Sequence, residues 1–175
     1  YDGHAVAAVA ATSASIAEQA LKLIEVDYEV LPHVTDVVAA MAPDAPLLHE
    51  DQHTRGMDGE SDEPSNVTKY REFEMGDIEA GFAEADEVVE MEFSTETVHQ
   101  GYIEPHACVA RYNQDGQGEI FCSTQGHFIV RNVTARLLGM QQADLKVTAS
   151  EMGGAFGGKT VVYVEPVAMA LSRKC

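Results

Sequence analysis

Glu151-Met152-Gly153-Gly154-Ala155-Phe156-Gly157-Gly158-Lys159-Thr160 is the stretch on which the reading of this chain turns. Residues 153–160 fit the phosphate-loop pattern G-x-x-x-x-G-K-S/T at every position. Four glycines within six residues leave a backbone that approaches a ligand closely and reaches positive φ without a Cβ clash. Its N–H groups suit an anion, and a helix starting behind it adds a favourable dipole. A nucleotide triphosphate meets those conditions, and so does any other group presenting oxo or phosphate oxygens. Three features count against the nucleotide. Phe156 places a large apolar ring where a phosphate cradle needs none, the loop falls too near the last residue for a Walker-B Asp to follow, and the sequence before it reads as a linker and a hairpin rather than as βα repeats.

Working outward, the 175 residues suffice for one good core or two small ones. A hydrophobic fraction of 45% and a charged fraction of 23% are ordinary for a globular protein. The formal net charge is −18, from 29 acidic and 11 basic side chains. Such a surface repels phosphate backbones and anionic lipid, which argues against nucleic-acid and membrane partners. No apolar run approaches the roughly 20 residues of a membrane span. The chain does not begin with Met, and both ends read as cut from a longer polypeptide. Cys108, Cys122 and Cys175 form no C-x-x-C and no zinc spacing with His. They point to a reduced, cytoplasmic-type protein with free thiols. Cys108 and Cys122 flank a Gly-rich turn symmetrically, so a hairpin there brings them near one another.

The periodicity predicts a buried strand over residues 4–11, a helix over 14–25 with a capping box from Ser15 to Glu18, and a half-buried strand over 26–31 ending at Pro32. A short helix is expected over 36–41. Residues 49–68 are acidic and poor in apolar side chains, and read as a linker. A short helix follows over 77–85, then an alternating strand over 88–96, with Val89, Met91 and Phe93 on one face. Residues 107–112 and 119–123 read as the arms of a hairpin. Residues 127–140 form the clearest helix, with an Ile129–Val133–Leu137 stripe broadened by Val130 and Leu138, and Gly139 as C-terminal cap. A strand over 145–149 leads into the Gly-rich loop. Pro166 is tolerated only near a helix start, which moves the start of the last helix from Val161 toward Glu165.

Two further segments carry chemistry. Ser123-Thr124-Gln125-Gly126 stands between a strand and the strongest helix. It serves as a helix cap, or it offers the Gln125 carboxamide as a donor to a metal–oxo centre without competing as a charged ligand. His99, Glu104 and His106 match no standard metal-ligand spacing and read as structural hydrogen-bonding groups beneath a cofactor.

Taken together these segments resemble the large subunit of the molybdenum hydroxylases, the xanthine dehydrogenase and aldehyde oxidase family. Gly3-His4-Ala5-Val6-Ala7-Ala8-Val9-Ala10-Ala11, the Ala-rich helix and Val26-Asp27-Tyr28-Glu29-Val30-Leu31-Pro32 are similar to the end of its α/β hammerhead domain. Gly76-Asp77 to Glu96 and Tyr102-Ile103-Glu104-Pro105 are similar to the opening of its first molybdopterin-binding domain. Ser123-Thr124-Gln125 and Met152-Gly153-Gly154-Ala155-Phe156-Gly157-Gly158-Lys159 resemble its two signature cofactor segments, in the family's order. The resemblance implies an α+β fold: residues 1–48 as the C-terminal part of a hammerhead domain, 49–70 as an acidic linker, and 71–175 as the N-terminal part of a molybdopterin-binding domain.

It also implies roles. Gln125 matches the glutamine whose amide hydrogen-bonds the apical oxo group of molybdenum, a second-sphere contact with no direct metal ligand. Gly126, Gly153, Gly154, Ala155, Phe156, Gly157 and Gly158 match cofactor-binding positions, and Phe156 and Thr160 border the substrate pocket. Ala155 stands where Gly is usual. Thr160 stands where purine-hydroxylating members carry a Glu, which argues against xanthine as substrate. The family's general base lies downstream of its counterpart of this segment, so no catalytic residue is assigned here, and the polypeptide is expected to be inactive alone. The implied enzyme hydroxylates a carbon centre of an aldehyde or heterocycle, a small-molecule substrate. Its cofactors are molybdopterin with molybdenum here, and 2Fe–2S clusters and FAD on partner domains or subunits. A non-catalytic scaffold or assembly module of the same fold, and a P-loop nucleotide binder using 153–160, are the alternatives.

Overall fold

The computed structural model describes residues 3–56 and 59–175. In chain order its elements are α1 (Ala14–Leu21), α2 (Val37–Ala40), β1 (His53–Arg55), β2 (Glu60–Pro64), α3 (Ile78–Glu84), β3 (Cys108–Tyr112), β4 (Gly118–Cys122), α4 (His127–Leu138), a 3-10 turn at Gln142–Asp144, β5 (Leu145–Ala149) and α5 (Glu165–Lys174). The mixture of helix and strand is the α+β class expected. The chain divides into two compact units, Tyr1–Val26 with Thr95–Cys175, and Asp27–Ser94.

The first unit is built on a three-stranded sheet in the order β3-β4-β5. β3 and β4 pair antiparallel, and their turn closes through Asn113 N–H to Gln117 O (2.8 Å) and Gly116 N–H to Asn113 O (3.0 Å), with Gly116 at φ +89°. β4 and β5 pair parallel, which requires a crossover, and α4 supplies it. The core consists of Ile120, Cys122, Val130, Ala135, Leu145 and Met169, with Cys108, Ala110, Tyr112, Leu138 and Val147 packed against it. Gly118 makes this packing possible: a Cβ there would lie 2.9 Å from Met169 Cε and 3.1 Å from Leu145 Cδ1. Cys108 and Cys122 are direct cross-strand partners and both are free thiols. Burial, with the Glu165 carboxylate nearby, pushes them up to about 11 and about 12.

The strong helix forms as expected. Gly139 ends it in the left-handed conformation at φ +65°, donating to Ala135 O and Arg136 O. Its buried face differs from the predicted stripe. Val130, Thr134 and Ala135 point into the core, whereas Ile129 and Leu137 are largely exposed. α5 begins at Glu165 with Pro166 in its first turn, where no backbone donor is lost. α1 is shorter than predicted. Its cap is Ser13, whose Oγ accepts from Ile16 N–H (3.3 Å), rather than Ser15. No strand forms over 4–11.

The second unit holds α2, capped by the Asp36 carboxylate on Ala39 N–H (2.7 Å), and α3, capped by Asp77 on Ala80 N–H (2.9 Å). Residues 49–68, read as a linker, contain the antiparallel β1–β2 hairpin. Polar side chains hold it: Thr54 N–H donates to Ser61 Oγ (2.9 Å), Thr54 Oγ1 to Val67 O (2.7 Å), and Gln52 Nε2 to Ser65 O (2.9 Å). Asn66 Nδ2 closes the neighbouring loop on Ala40 O and Pro46 O, both at 3.0 Å. The strands predicted over 26–31 and 88–96 are not formed, because no backbone edge pairs with either segment.

Candidate functional site

The Gly-rich loop connects β5 to α5, and Ser150 N–H to Cys122 O (2.9 Å) carries the β4–β5 ladder up to its entry. Within it Gly154, Phe156 and Gly157 adopt φ of +120°, +49° and +90°. Positive φ is inexpensive for glycine and costly for a bulky residue. Phe156 is 76% exposed, so its ring projects from the loop instead of filling the core. The loop's internal bonds are few: Gly158 N–H to Ala155 O (2.8 Å), and Thr160 Oγ1 to Gly157 O (2.9 Å). The N–H groups of Gly154, Ala155, Phe156 and Gly157 donate to no acceptor among the described residues.

Both signature segments meet here. Gln125 N–H donates to Lys159 O (2.9 Å), and Thr124 Oγ1 donates to the same oxygen (3.1 Å). Lys159 N–H returns a bond to Gln125 Oε1 (3.3 Å). An N–H donor needs the carboxamide oxygen, so the Gln125 Nε2 is the end left over, and it has no partner among the described residues. Thr124 Oγ1 also accepts from Gly126 N–H (3.1 Å), which places Gly126 as the N-cap of α4. The helix therefore starts on Gly126 without a side-chain cap, and the Gln125 carboxamide bonds the loop through Lys159 N–H.

The loop is anchored from below by residues 102–106. Glu104 Oε2 accepts from Gly153 N–H (2.8 Å), from Ser123 Oγ (2.9 Å) and from the Lys159 ammonium. The Lys159 donor, then Ser123 and Gly153, hold the Glu104 carboxyl down at about 2. Lys159 is completely buried, and its Nζ also donates to Ser123 Oγ (2.8 Å) and lies 5.1 Å from the Tyr102 ring centroid. A nucleotide-binding lysine must reach outward to phosphates, so this inward placement weighs against a P-loop. Tyr102 fills the space beneath Gly158, where a Cβ would lie 2.5 Å from Tyr102 Cε1. Its hydroxyl is fixed by His106 Nε2 (2.6 Å), and the His106 ring packs on Tyr163 at 4.3 Å. Among the described residues no three His, Cys, Asp or Glu side chains converge as a metal site.

The sequence-predicted residues Gln125, Gly126, Gly153, Gly154, Ala155, Phe156, Gly157, Gly158 and Thr160 therefore lie in one neighbourhood. Ala155 and Gly158 are buried beneath the loop; Phe156, Gly157 and Thr160 are exposed. Glu104 and His106 are structural hydrogen-bonding groups as read; the partners of Glu104, Ser123 and Lys159, went unread, because the members are separated by 55 and 36 positions and follow no periodicity.

The family model described as the molybdopterin cofactor-binding domain matches residues 60–175. The chain belongs to this family. Among curated relatives, a probable xanthine dehydrogenase subunit of Bacillus subtilis is 33% identical over 99% of the chain and 22% of that protein. The nicotinate dehydrogenase large molybdopterin subunit of Eubacterium barkeri is 30% identical over 93% of the chain and 35% of that protein. Among solved structures, the CO dehydrogenase from Oligotropha carboxidovorans superposes with a TM-score of 0.73 at 32% identity, over 92% of this chain and 20% of that one. Quinoline 2-oxidoreductase from Pseudomonas putida 86 superposes with a TM-score of 0.69 at 29% identity, over 94% of this chain and 20% of that one. The chain thus spans a fifth to a third of the length of these relatives. No helix among the described residues is long and apolar enough to cross a membrane.

Proposed function

We propose that this chain is the segment of a molybdenum hydroxylase catalytic subunit that binds one side of the molybdopterin cofactor. The observation that carries the reading is the pairing of the two signature segments, Gln125 against Lys159, beneath a loop whose four successive N–H groups at 154–157 lack acceptors. An anionic, oxygen-rich group fits that donor set. It accepts from backbone N–H groups and from the Gln125 amide, and the carboxylate that bonds the loop, Glu104, is neutralised by Lys159. When bound, the molybdenum cofactor supplies two-electron redox chemistry at carbon, and the protein supplies orientation and electrostatics.

Within that division Gln125 donates its amide to the group, Gly153, Gly154, Ala155, Gly157 and Gly158 with Gly126 shape the surface it rests on, and Phe156 and Thr160 border the substrate. The substrate class is an aldehyde or aromatic heterocycle. A neutral Thr160, its hydroxyl on Gly157 O, offers no carboxylate to a purine. The general base belongs to a later part of the polypeptide, and electrons leave through 2Fe–2S and FAD partners, in a cytoplasmic enzyme. Residues 1–48 are assigned to the hammerhead domain and 71–175 to the cofactor domain, joined by 49–70.

Metal and pterin analysis of the full-length polypeptide, purified with its accompanying subunits, tests this. Molybdenum and pterin near one per polypeptide are expected, with Gln125→Leu lowering activity by about 10- to 100-fold. Absence of both from a matured preparation overturns the assignment.

A further inference from the structure

We propose that Glu104 is the positioning residue of the Gly-rich loop, fixing its first and last residues through one carboxylate oxygen. The inference rests on the cofactor-binding reading above. Oε2 of Glu104 receives the N–H of Gly153, where the loop starts, and the ammonium of Lys159, where it ends, together with Ser123 Oγ from the end of β4. Between those two anchors the backbone is in positive φ at Gly154, Phe156 and Gly157. At Phe156, the non-glycine among them, a conformation of that kind persists only where the surroundings over-determine it. The loop's own hydrogen bonds within 153–158 amount to Gly158 N–H on Ala155 O, so the constraint comes from outside. Glu104 supplies it at both ends. Tyr102, two residues earlier, closes the underside against Gly158. Lys159 has no solvent exposure, and Glu104 is its ion-pair partner among the described residues. The lysine of the G-x-x-x-x-G-K-T pattern is therefore a cation that locks the loop shut onto residues 102–104, and the presentation of the 154–157 N–H groups depends on Glu104.

The test uses the full-length enzyme with its partners, reading molybdenum and pterin per polypeptide alongside the melting temperature. Glu104→Gln leaves the buried ammonium without its counter-charge and is expected to lower both. Glu104→Met/Lys159→Met removes both charges and the tether together. It is expected to melt close to wild type yet carry about tenfold less cofactor. Glu104→Asp keeps the charge beside Lys159 and withdraws the oxygen by one methylene, which gives the same readout should the double variant not fold. A folded double variant or Glu104→Asp variant with wild-type cofactor content overturns the positioning role. A wild-type enzyme without molybdenum or pterin instead overturns the cofactor reading beneath it, and the two failures are told apart by the wild-type preparation alone.

Discussion

At Gly158 an added methyl group would lie 2.5 Å from the Tyr102 ring and 3.1 Å from Ala155 O. Neither neighbour gives way easily: Tyr102 is pinned by His106, and the Ala155 carbonyl accepts the Gly158 N–H. Gly158→Ala is therefore expected to destabilise by about 1–3 kcal/mol, the range for overpacking a filled site. Two residues earlier the sign reverses. Phe156 holds φ +49° with its ring 76% exposed, so it bears left-handed strain with little burial in return. Phe156→Gly removes roughly 1–2 kcal/mol of strain, partly offset by the extra chain entropy of glycine, and is expected to be neutral to stabilising by about 1 kcal/mol. Chemical denaturation of the two variants side by side checks both. Destabilisation of similar size in both would mean that the loop responds to its side chains and not to its backbone geometry.

α4 carries a defect that its periodicity conceals. Thr134 is fully buried on the face toward the sheet, and its Oγ1 has no partner among the described residues. Thr134→Val preserves the shape and removes a desolvated hydroxyl, so a gain of about 1 kcal/mol is expected; a loss would reveal a bound water satisfying that oxygen. The same helix shows what was legible in the sequence. Its extent and its Gly139 cap followed from local chemistry, as did β3, β4, β5 and the Pro166-limited start of α5. The face it buries did not, since Thr134 replaces Ile129 in the core and only the packed sheet decides that. The strands expected at 26–31 and 88–96 failed because alternation describes a surface, whereas a strand also needs a paired edge. The β1–β2 hairpin escaped for the opposite reason: side-chain bonds from Gln52, Thr54 and Ser61 hold it with no apolar alternation to read. At the site the glycines and Gln125 were visible as motif residues and Glu104 as a structural hydrogen-bonding group, while its partners Gly153 and Lys159 emerge only from their approach in the fold.

Across the whole molecule, burial is concentrated in one part of the chain. Among the described residues every fully buried hydrophobic side chain lies between Ile120 and Met169. In the unit Asp27–Ser94, Phe73, Met75 and Phe93 are 90%, 96% and 81% exposed, and polar bonds do most of the holding. Hydrogen exchange reports this difference directly, because an amide inside a hydrophobic core opens only with the core, whereas one in a shallow hairpin opens locally. In the 175-residue chain the slowest amides are expected in β4, α4, β5 and α5, with Ile120 and Val130 among them. Those of β1, β2 and α3 should exchange at least about tenfold faster, the equivalent of roughly 1.4 kcal/mol in opening free energy. Equal protection in the two units would mean that the polar network of the second unit is cooperative with a core. In the full-length enzyme the same amides of β1, β2 and α3 are expected to slow if further polypeptide covers Phe73, Met75 and Phe93. The comparison of the two preparations therefore measures how far the stability of residues 27–94 is its own.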